Sequence, residues 1–235
     1  MLKKTVQGLM ALTATVLITV GAQARDIRFD VFALGGASTL FDVERFDSAG
    51  RLYDARYQYG PKFTIGVAVP YGKLLSIETA YSGGPNNLFL TNLNVFPHAP
   101  VEYPVNIHMG TLSAVFHAPF TFHHWRPYAE GGIEYDRFSP TTEAIQTAKN
   151  VGFGPINTAN LTYNNKFGVN VGLGLDRKIM KRLTFRIDLR DHITGSPAYG
   201  LPPEATLDSA ATFPVSGHAN NVQYTAGFLV HLGKL

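Results

Sequence analysis

The chain lacks cysteine and is poor in charged residues for its length. Of its 235 residues, 16% are charged, whereas average globular proteins carry about 25%. The absence of cysteine excludes a disulfide scaffold, a thiolate zinc site, a cysteine nucleophile and a cysteine-linked lipid anchor. After the first 22 residues, no segment has the roughly 18 consecutive apolar residues of a membrane-spanning helix. A polytopic helical membrane protein is therefore excluded.

The N-terminal residues have the pattern of a secretory leader. Two lysines precede an apolar stretch over Leu9–Val20, and residues 22–24 (Ala-Gln-Ala) form a small-x-small cleavage pattern. This order of features predicts a signal peptide over residues 1–24 and a mature chain over residues 25–235. The formal net charge of +3 moves toward zero when the two lysines leave with the leader. Because the chain also has no Lys/Arg cluster, we expect no nucleic-acid partner.

The mature chain alternates between apolar residues and polar or small residues with a period of two. Eight segments show this alternation, which is the signature of β-strands. The last segment is the clearest, with one face formed by Val222, Tyr224, Ala226, Phe228, Val230 and Leu232. We therefore predict an all-β protein with eight strands.

The connections between the predicted strands alternate between long and short. The long connections are residues 41–60, 82–103, 138–164 and 193–220. Loops of this length are uncommon inside compact soluble domains. Placing every long loop at one end and every short turn at the other requires an antiparallel up-and-down meander with an even number of strands. Residues 87–96 leave a ten-stranded variant open, because they could add a hairpin arm.

The apolar face of such a meander points either inward, as in a lipocalin-like barrel, or outward to lipid, as in a transmembrane barrel. The outward reading is favoured because the chain carries a leader and because each segment is long enough for the ~9–11 residues that cross a bilayer at a tilt. Aromatic residues also gather near the segment ends, as an interfacial belt requires. We therefore predict an eight-stranded antiparallel up-and-down transmembrane β-barrel.

Several segments resemble a known family of membrane barrels. They are residues 32–36 (FALGG), residues 76–83 (SIETAYSG), residues 186–191 (RIDLRD) and the terminal strand. Together they are similar to the OmpA/OmpX-type outer-membrane β-barrel domain, and the resemblance covers the mature chain. It implies a location in the bacterial outer membrane, with outer-membrane lipid and the barrel-assembly machinery as partners. It also implies an insertion signal in the terminal strand, formed by Thr225, Gly227, Val230 and Leu232.

The predicted inner face carries charges of both signs. An eight-stranded barrel has an interior only wide enough for side chains, and charges held there must be paired. We therefore predict an interior charge network in which the two arginines find partners among the acids, formed by Glu130, Glu134, Asp136, Arg186, Asp188 and Arg190.

The sequence leaves three other functional possibilities: a metal site, a lipid-modifying hydrolase and a channel. His123 and His124 are adjacent in a predicted short turn, which favours solvated turn residues, so we expect no metal and no cofactor. His192 and Thr194 resemble the histidine-x-serine motif of outer-membrane lipid A deacylases, with threonine in place of serine and Gly195 in place of the asparagine that follows. A lipid A-modifying hydrolase therefore stays open as an alternative, as does a small porin-like channel. The expectation is a non-enzymatic barrel with a structural or surface-interaction role, whose surface ligand the sequence does not identify.

Overall fold

The structure covers most of the chain beyond the predicted leader. In this computed structural model, the described residues are 28–41, 44–48, 51–93, 100–151, 161–200 and 217–233. The predicted signal peptide, residues 1–24, lies outside them.

The described residues form twelve strands and one helix. In chain order these are β1 (Phe29–Phe41), β2 (Glu44–Ser48), β3 (Arg51–Tyr57), β4 (Gly60–Tyr71), β5 (Leu75–Pro85), β6 (Leu88–Asn92), β7 (Val101–Tyr103), β8 (Val105–His117), β9 (Trp125–Pro140), α1 (Thr142–Val151), β10 (Asn164–Met180), β11 (Leu183–Gly195) and β12 (His218–Leu232).

Eight of these strands close into an antiparallel barrel in the order β1-β12-β11-β10-β9-β8-β5-β4. The barrel closes where β1 pairs with β12, in a register that runs from Phe29 opposite Leu232 to Phe41 opposite Asn220. The predicted fold of eight strands is confirmed. The segment that left a ten-stranded variant open contains β6, which joins β2, β3 and β7 in a separate four-stranded sheet and not the barrel wall.

Side chains alternate across the barrel wall as the period of two predicts. In β11, Arg186 and Arg190 are buried inside the barrel while Ile187 and Leu189 point outward and are exposed. Apolar side chains are exposed on the other barrel strands too, and Phe167 on β10 reaches 82% exposure. The barrel is therefore apolar outside and mainly polar inside, apart from a small buried apolar cluster formed by Phe32, Leu34, Ala68, Ala80 and Leu229.

The two ends of the barrel differ. Short turns at residues 72–74, 118–124 and 181–182 join barrel strands at one end, which we call the short-turn end. The four-stranded sheet and α1 stand at the other, the long-loop end. There an apolar cluster from β1, β8, β9, α1 and the second sheet is buried, formed by Leu40, Ala55, Leu88, Leu90, Tyr103, Val105, Ile107, Met109, Phe138, Ala144, Ala148, Leu161, Tyr199 and Ala219.

The helix α1 lies in a segment for which the sequence predicted only a loop, residues 138–164. Strand β9 continues to Pro140, and Thr141 then caps the helix, because its Oγ1 accepts a hydrogen bond from the Ala144 amide at 3.2 Å. Glu143 in the first turn and Lys149 in the last turn match the helix dipole. The buried face of α1 is small, with Ala144 and Ala148 fully buried in the apolar cluster.

Within the described residues, no helix combines the length and the apolar character needed to cross a membrane.

Candidate functional site

The barrel interior contains a layered network of buried charges, in which Arg186 is the least exposed cation. Its side chain is 1% exposed. Nη1 donates to both carboxylate oxygens of Glu78, at 2.8 and 3.0 Å, while Nε and Nη2 donate to the two oxygens of Asp176, at 2.8 and 3.0 Å. The guanidinium carbon also lies 4.5 Å from the centre of the Tyr128 ring. One cation therefore bridges two carboxylates from different walls of the barrel.

The partners of Arg186 differ from those that the sequence suggested. Asp176 lies directly opposite Arg186 in the pairing of β10 with β11, and Glu78 reaches it from β5 across the lumen. Both acids stand on the polar face of their strands, so the period-two pattern marks them as inward-facing. The period of two does not give the register of one strand against the next, and therefore did not identify them as the partners.

A second layer surrounds Arg190, which is 2% exposed. Its Nη2 donates to Glu130 Oε2 at 2.7 Å, and its Nε lies 3.6 Å from Asp188 Oδ2. Asp188 in turn accepts a hydrogen bond from the Tyr128 hydroxyl at 2.6 Å. The structure thus brings Arg190 together with two of the acids named from the sequence, and Tyr128 links this layer to Arg186.

The other two acids named from the sequence lie closer to the long-loop end. Glu134 Oε2 is 2.6 Å from His192 Nδ1, and both residues are buried. Asp136 is also buried on the inner face. Among the ion pairs of the described residues, neither acid is joined to Arg186 or Arg190. The network therefore consists of two arginine layers and a separate Glu134–His192 contact.

Glycines on β10 make room for the inward side chains of β9. A Cβ atom on Gly174 would lie 2.1 Å from the Tyr128 ring, and one on Gly172 would lie 2.5 Å from Glu130 Oε1. Both distances are far below van der Waals contact, so each glycine leaves the space that its neighbour's side chain fills. Gly172 and Gly174 alternate along β10 with outward apolar residues, so they occupy inward positions and belong to the interior packing.

We expect Gly174→Val to destabilise the barrel by about 1–3 kcal/mol, the usual cost of overpacking. The valine would displace the Tyr128 ring, and with it the hydrogen bond to Asp188. The measurement is the urea midpoint of the detergent-solubilised protein, with Gly35→Val as the control, because nothing lies within 4 Å of a Cβ at Gly35. Equal midpoints for the two variants would contradict this packing role.

The residues of the predicted insertion signal occupy both faces of β12. Thr225 is buried inside the barrel, and Val230 points outward with 41% exposure. Leu232 has the outward phase of Val230 and is half-buried. Gly227 faces β1 so closely that a Cβ would lie 2.1 Å from the Ala33 carbonyl oxygen. This glycine therefore permits the close approach of the two strands that close the barrel.

The histidines named in the sequence analysis lie at two different places in the barrel. His192 is 0% exposed and Thr194 is 3% exposed, both on the inner face, so neither side chain is on the apolar outer surface where a lipid would lie. His123 and His124 form the turn between β8 and β9, with φ values of 50° and 70°. Among the described residues, no three His, Cys, Asp or Glu side chains converge on a common point that could hold a metal ion.

Comparisons with known proteins show that the chain is similar in structure to outer-membrane barrel proteins. No protein-family model matches the chain, and no curated protein matches it either. The solved structure of the outer membrane protein OprG from Pseudomonas aeruginosa is similar with a TM-score of 0.56 and 10% identity, over 89% of this chain and 97% of that chain. Neisserial surface protein A is similar with a TM-score of 0.53 and 13% identity, over 86% of this chain and 96% of that chain. The chain therefore has the eight-stranded antiparallel barrel fold that occurs in bacterial outer-membrane proteins.

Proposed function

We propose that the protein is an integral outer-membrane protein of a bacterial cell envelope, with a structural or surface-interaction role and no catalytic activity. The observation that carries the proposal is the inverted polarity of the barrel. Arg186 is 1% exposed inside it, whereas Ile133, Leu173 and Phe167 are 63%, 62% and 82% exposed on its outer face. Such a surface is costly in water and favourable in lipid, and the closed barrel satisfies every backbone group without water.

In the proposed orientation, the short-turn end faces the periplasm and the long-loop end faces the outside of the cell. Short periplasmic turns and longer extracellular loops are typical of such barrels. The second sheet and α1 would then stand above the outer leaflet. They are held by contacts such as the hydrogen bond of 2.7 Å between the hydroxyls of Tyr57 and Tyr199, and they offer an ordered surface for a partner outside the cell.

The filled interior favours this role over a porin-like channel. Arg186 reaches Glu78 on the opposite wall, Arg190 pairs with Glu130 two strands away in the barrel, and the apolar cluster covers the long-loop end. A water-filled lumen would instead leave its charges solvated and without need of partners.

The inner position of His192 and Thr194 favours a non-catalytic role over the lipid A-modifying hydrolase. A hydrolase of that kind needs its hydroxyl and its base within reach of the lipid. Here Glu134 and His192 contact each other at full burial inside the barrel, separated from the outer surface by the wall itself.

Heat-modifiable migration on a gel tests the membrane barrel, because a folded transmembrane barrel migrates differently before and after boiling. We expect two migration positions for the purified protein in detergent, and a single position would contradict the proposal. Planar-bilayer recordings and a lipid A deacylation assay on the same sample test the two alternatives. Stable conductance steps would favour the channel, and released acyl chains would favour the hydrolase.

A lysine at the middle of the outer face should destabilise the barrel in a bilayer. Leu189 is 50% exposed near the middle of β11, and a Lys at the bilayer midplane costs about 2–4 kcal/mol. The matched control is Phe167→Lys near the long-loop end of β10, where the expected cost is about 0–1 kcal/mol. Urea unfolding in lipid vesicles measures both variants. If Leu189→Lys left stability unchanged or raised it, the outer face would not be in contact with lipid.

A further inference from the structure

The barrel opens at its short-turn end into a cavity of about 500 Å³. Its floor lies at the first interior layer, where Arg186 and Leu229 contribute to the lining. Its rim carries five cationic side chains: Arg28, Lys73, Arg126, Lys178 and Lys181.

Each acid that lines the cavity already contacts an arginine, and Asp30 also contacts His231. Glu78 and Asp176 share Arg186. Asp30 Oδ1 is 2.7 Å from His231 Nδ1 and 3.5 Å from Arg28 Nε. Glu78, Asp176 and Asp30 are therefore engaged with Arg186, His231 and Arg28, and within the described residues none of the three pairs with the other rim cations.

Four rim cations are not matched in this way. Arg126 donates through Nε to the Ala118 carbonyl at 2.9 Å and through Nη2 to the Lys73 carbonyl, which fixes the guanidinium without neutralising it. In the part of the chain that the structure describes, no carboxylate lies within ion-pair distance of Arg126, Lys73, Lys178 or Lys181. The rim therefore keeps its positive charge.

The four cations come from separate parts of the rim and surround the opening. Lys73 lies in the turn between β4 and β5, Arg126 near the start of β9, and Lys178 and Lys181 around the turn between β10 and β11. A cleft lined by one sign of charge with low-dielectric walls concentrates ions of the opposite sign. Lysine and arginine are also the side chains that bind phosphate groups, through charge-assisted hydrogen bonds.

We propose that this cavity is a binding site for a small multivalent anion that carries phosphate groups. The guanidinium of Arg126 is held in place by two backbone carbonyls, and the flexible lysines close around the anion. The site is distinct from the buried charge network, because each of its four free cations lies at the rim and none of them pairs with the acids below. The compartment that faces the short-turn end supplies the ligand.

The test is calorimetric titration of inorganic pyrophosphate into the full-length barrel in a neutral detergent. Removing two rim charges with Lys178→Gln and Lys181→Gln should weaken binding by about tenfold, because each solvent-exposed ion pair contributes only modestly to binding. The matched control is Arg177→Gln with Arg182→Gln, which removes two charges at the same end from residues that do not line the cavity. We expect the control to bind as the unsubstituted protein does.

Two results would overturn the proposal: no binding by the unsubstituted protein, or equal weakening in the control. Equal weakening would mean that the whole end of the barrel attracts anions without a defined site. A competition arm identifies the source of the phosphate group. Displacement of pyrophosphate by a short-chain phosphatidic acid, whose phosphomonoester can carry two negative charges, would support a lipid headgroup as the ligand, and undisturbed pyrophosphate binding would support a free phosphate compound.

Discussion

Replacing Arg186 with alanine should lower the free energy of unfolding by about 3–5 kcal/mol, the usual cost of removing one partner from a buried ion pair. The reason is that Glu78 and Asp176 would stay buried without the cation that holds both of them. The measurement is the urea midpoint in lipid vesicles. Arg182→Ala is the control, because this arginine is exposed at the short-turn end and an exposed charge contributes under about 1 kcal/mol.

A double-mutant cycle identifies the partner. In the background of Glu78→Gln, Arg186→Ala should cost less than it does alone, because one of the two stranded carboxylates is then neutral. In the background of Glu130→Gln, whose carboxylate contacts Arg190, the cost of Arg186→Ala should stay closer to its full value. A negligible effect of Arg186→Ala, with no coupling to Glu78, would contradict the filled interior and favour a water-filled lumen.

Placing aspartates at Val230 and Leu232 should leave the chain unassembled. If the terminal strand carries the insertion signal, the assembly machinery must recognise these two outward apolar positions. The expected result is loss of the heat-modifiable folded form from the outer-membrane fraction, measured by gel migration after cell fractionation.

The barrel offers a control at the same depth. Val31 and Phe29 of β1 lie directly opposite Val230 and Leu232 in the register of β1 with β12. The double variant with aspartates at Phe29 and Val31 therefore places the same charges at the same height in the wall without altering the terminal strand. We expect it to assemble at reduced stability. Equal loss of assembly in both variants would mean that the charge itself, and not a signal in β12, prevents insertion.

The barrel could be predicted from the sequence because its wall obeys a single local rule. Over residues 184–189 of β11, each inward polar residue is followed by an outward apolar one, and the burial of Arg186 and Asp188 follows that order. A slip of one residue would place every charge in contact with lipid, so the phase of the strand is strongly determined. The alternation of long and short connections then determines the strand count and the topology.

The partners within the interior could not be predicted by the same rule. Phase shows which face a residue occupies. The contact of Arg186 with Asp176 depends in addition on the register of β10 against β11, and its contact with Glu78 depends on closure of the barrel, which places β5 on the wall opposite β11. The helix α1 was missed for a different reason. It is only ten residues long, too short to be stable on its own in water, and the packing of Ala144, Ile145 and Ala148 on the apolar cluster stabilises it.

Because one end of the barrel is covered and the other is open, its cavity has a single opening. Ile107 and Met109 of β8 and Phe138 of β9 are 0–1% exposed beneath the long-loop end, while the opposite mouth is an open cavity that reaches Arg186. A reagent that modifies arginine should therefore reach Arg28 and Arg126, at the rim of this mouth, from one compartment only. In intact cells the proposed orientation makes that compartment the periplasm, so the same reagent added outside the cell would leave both arginines unmodified.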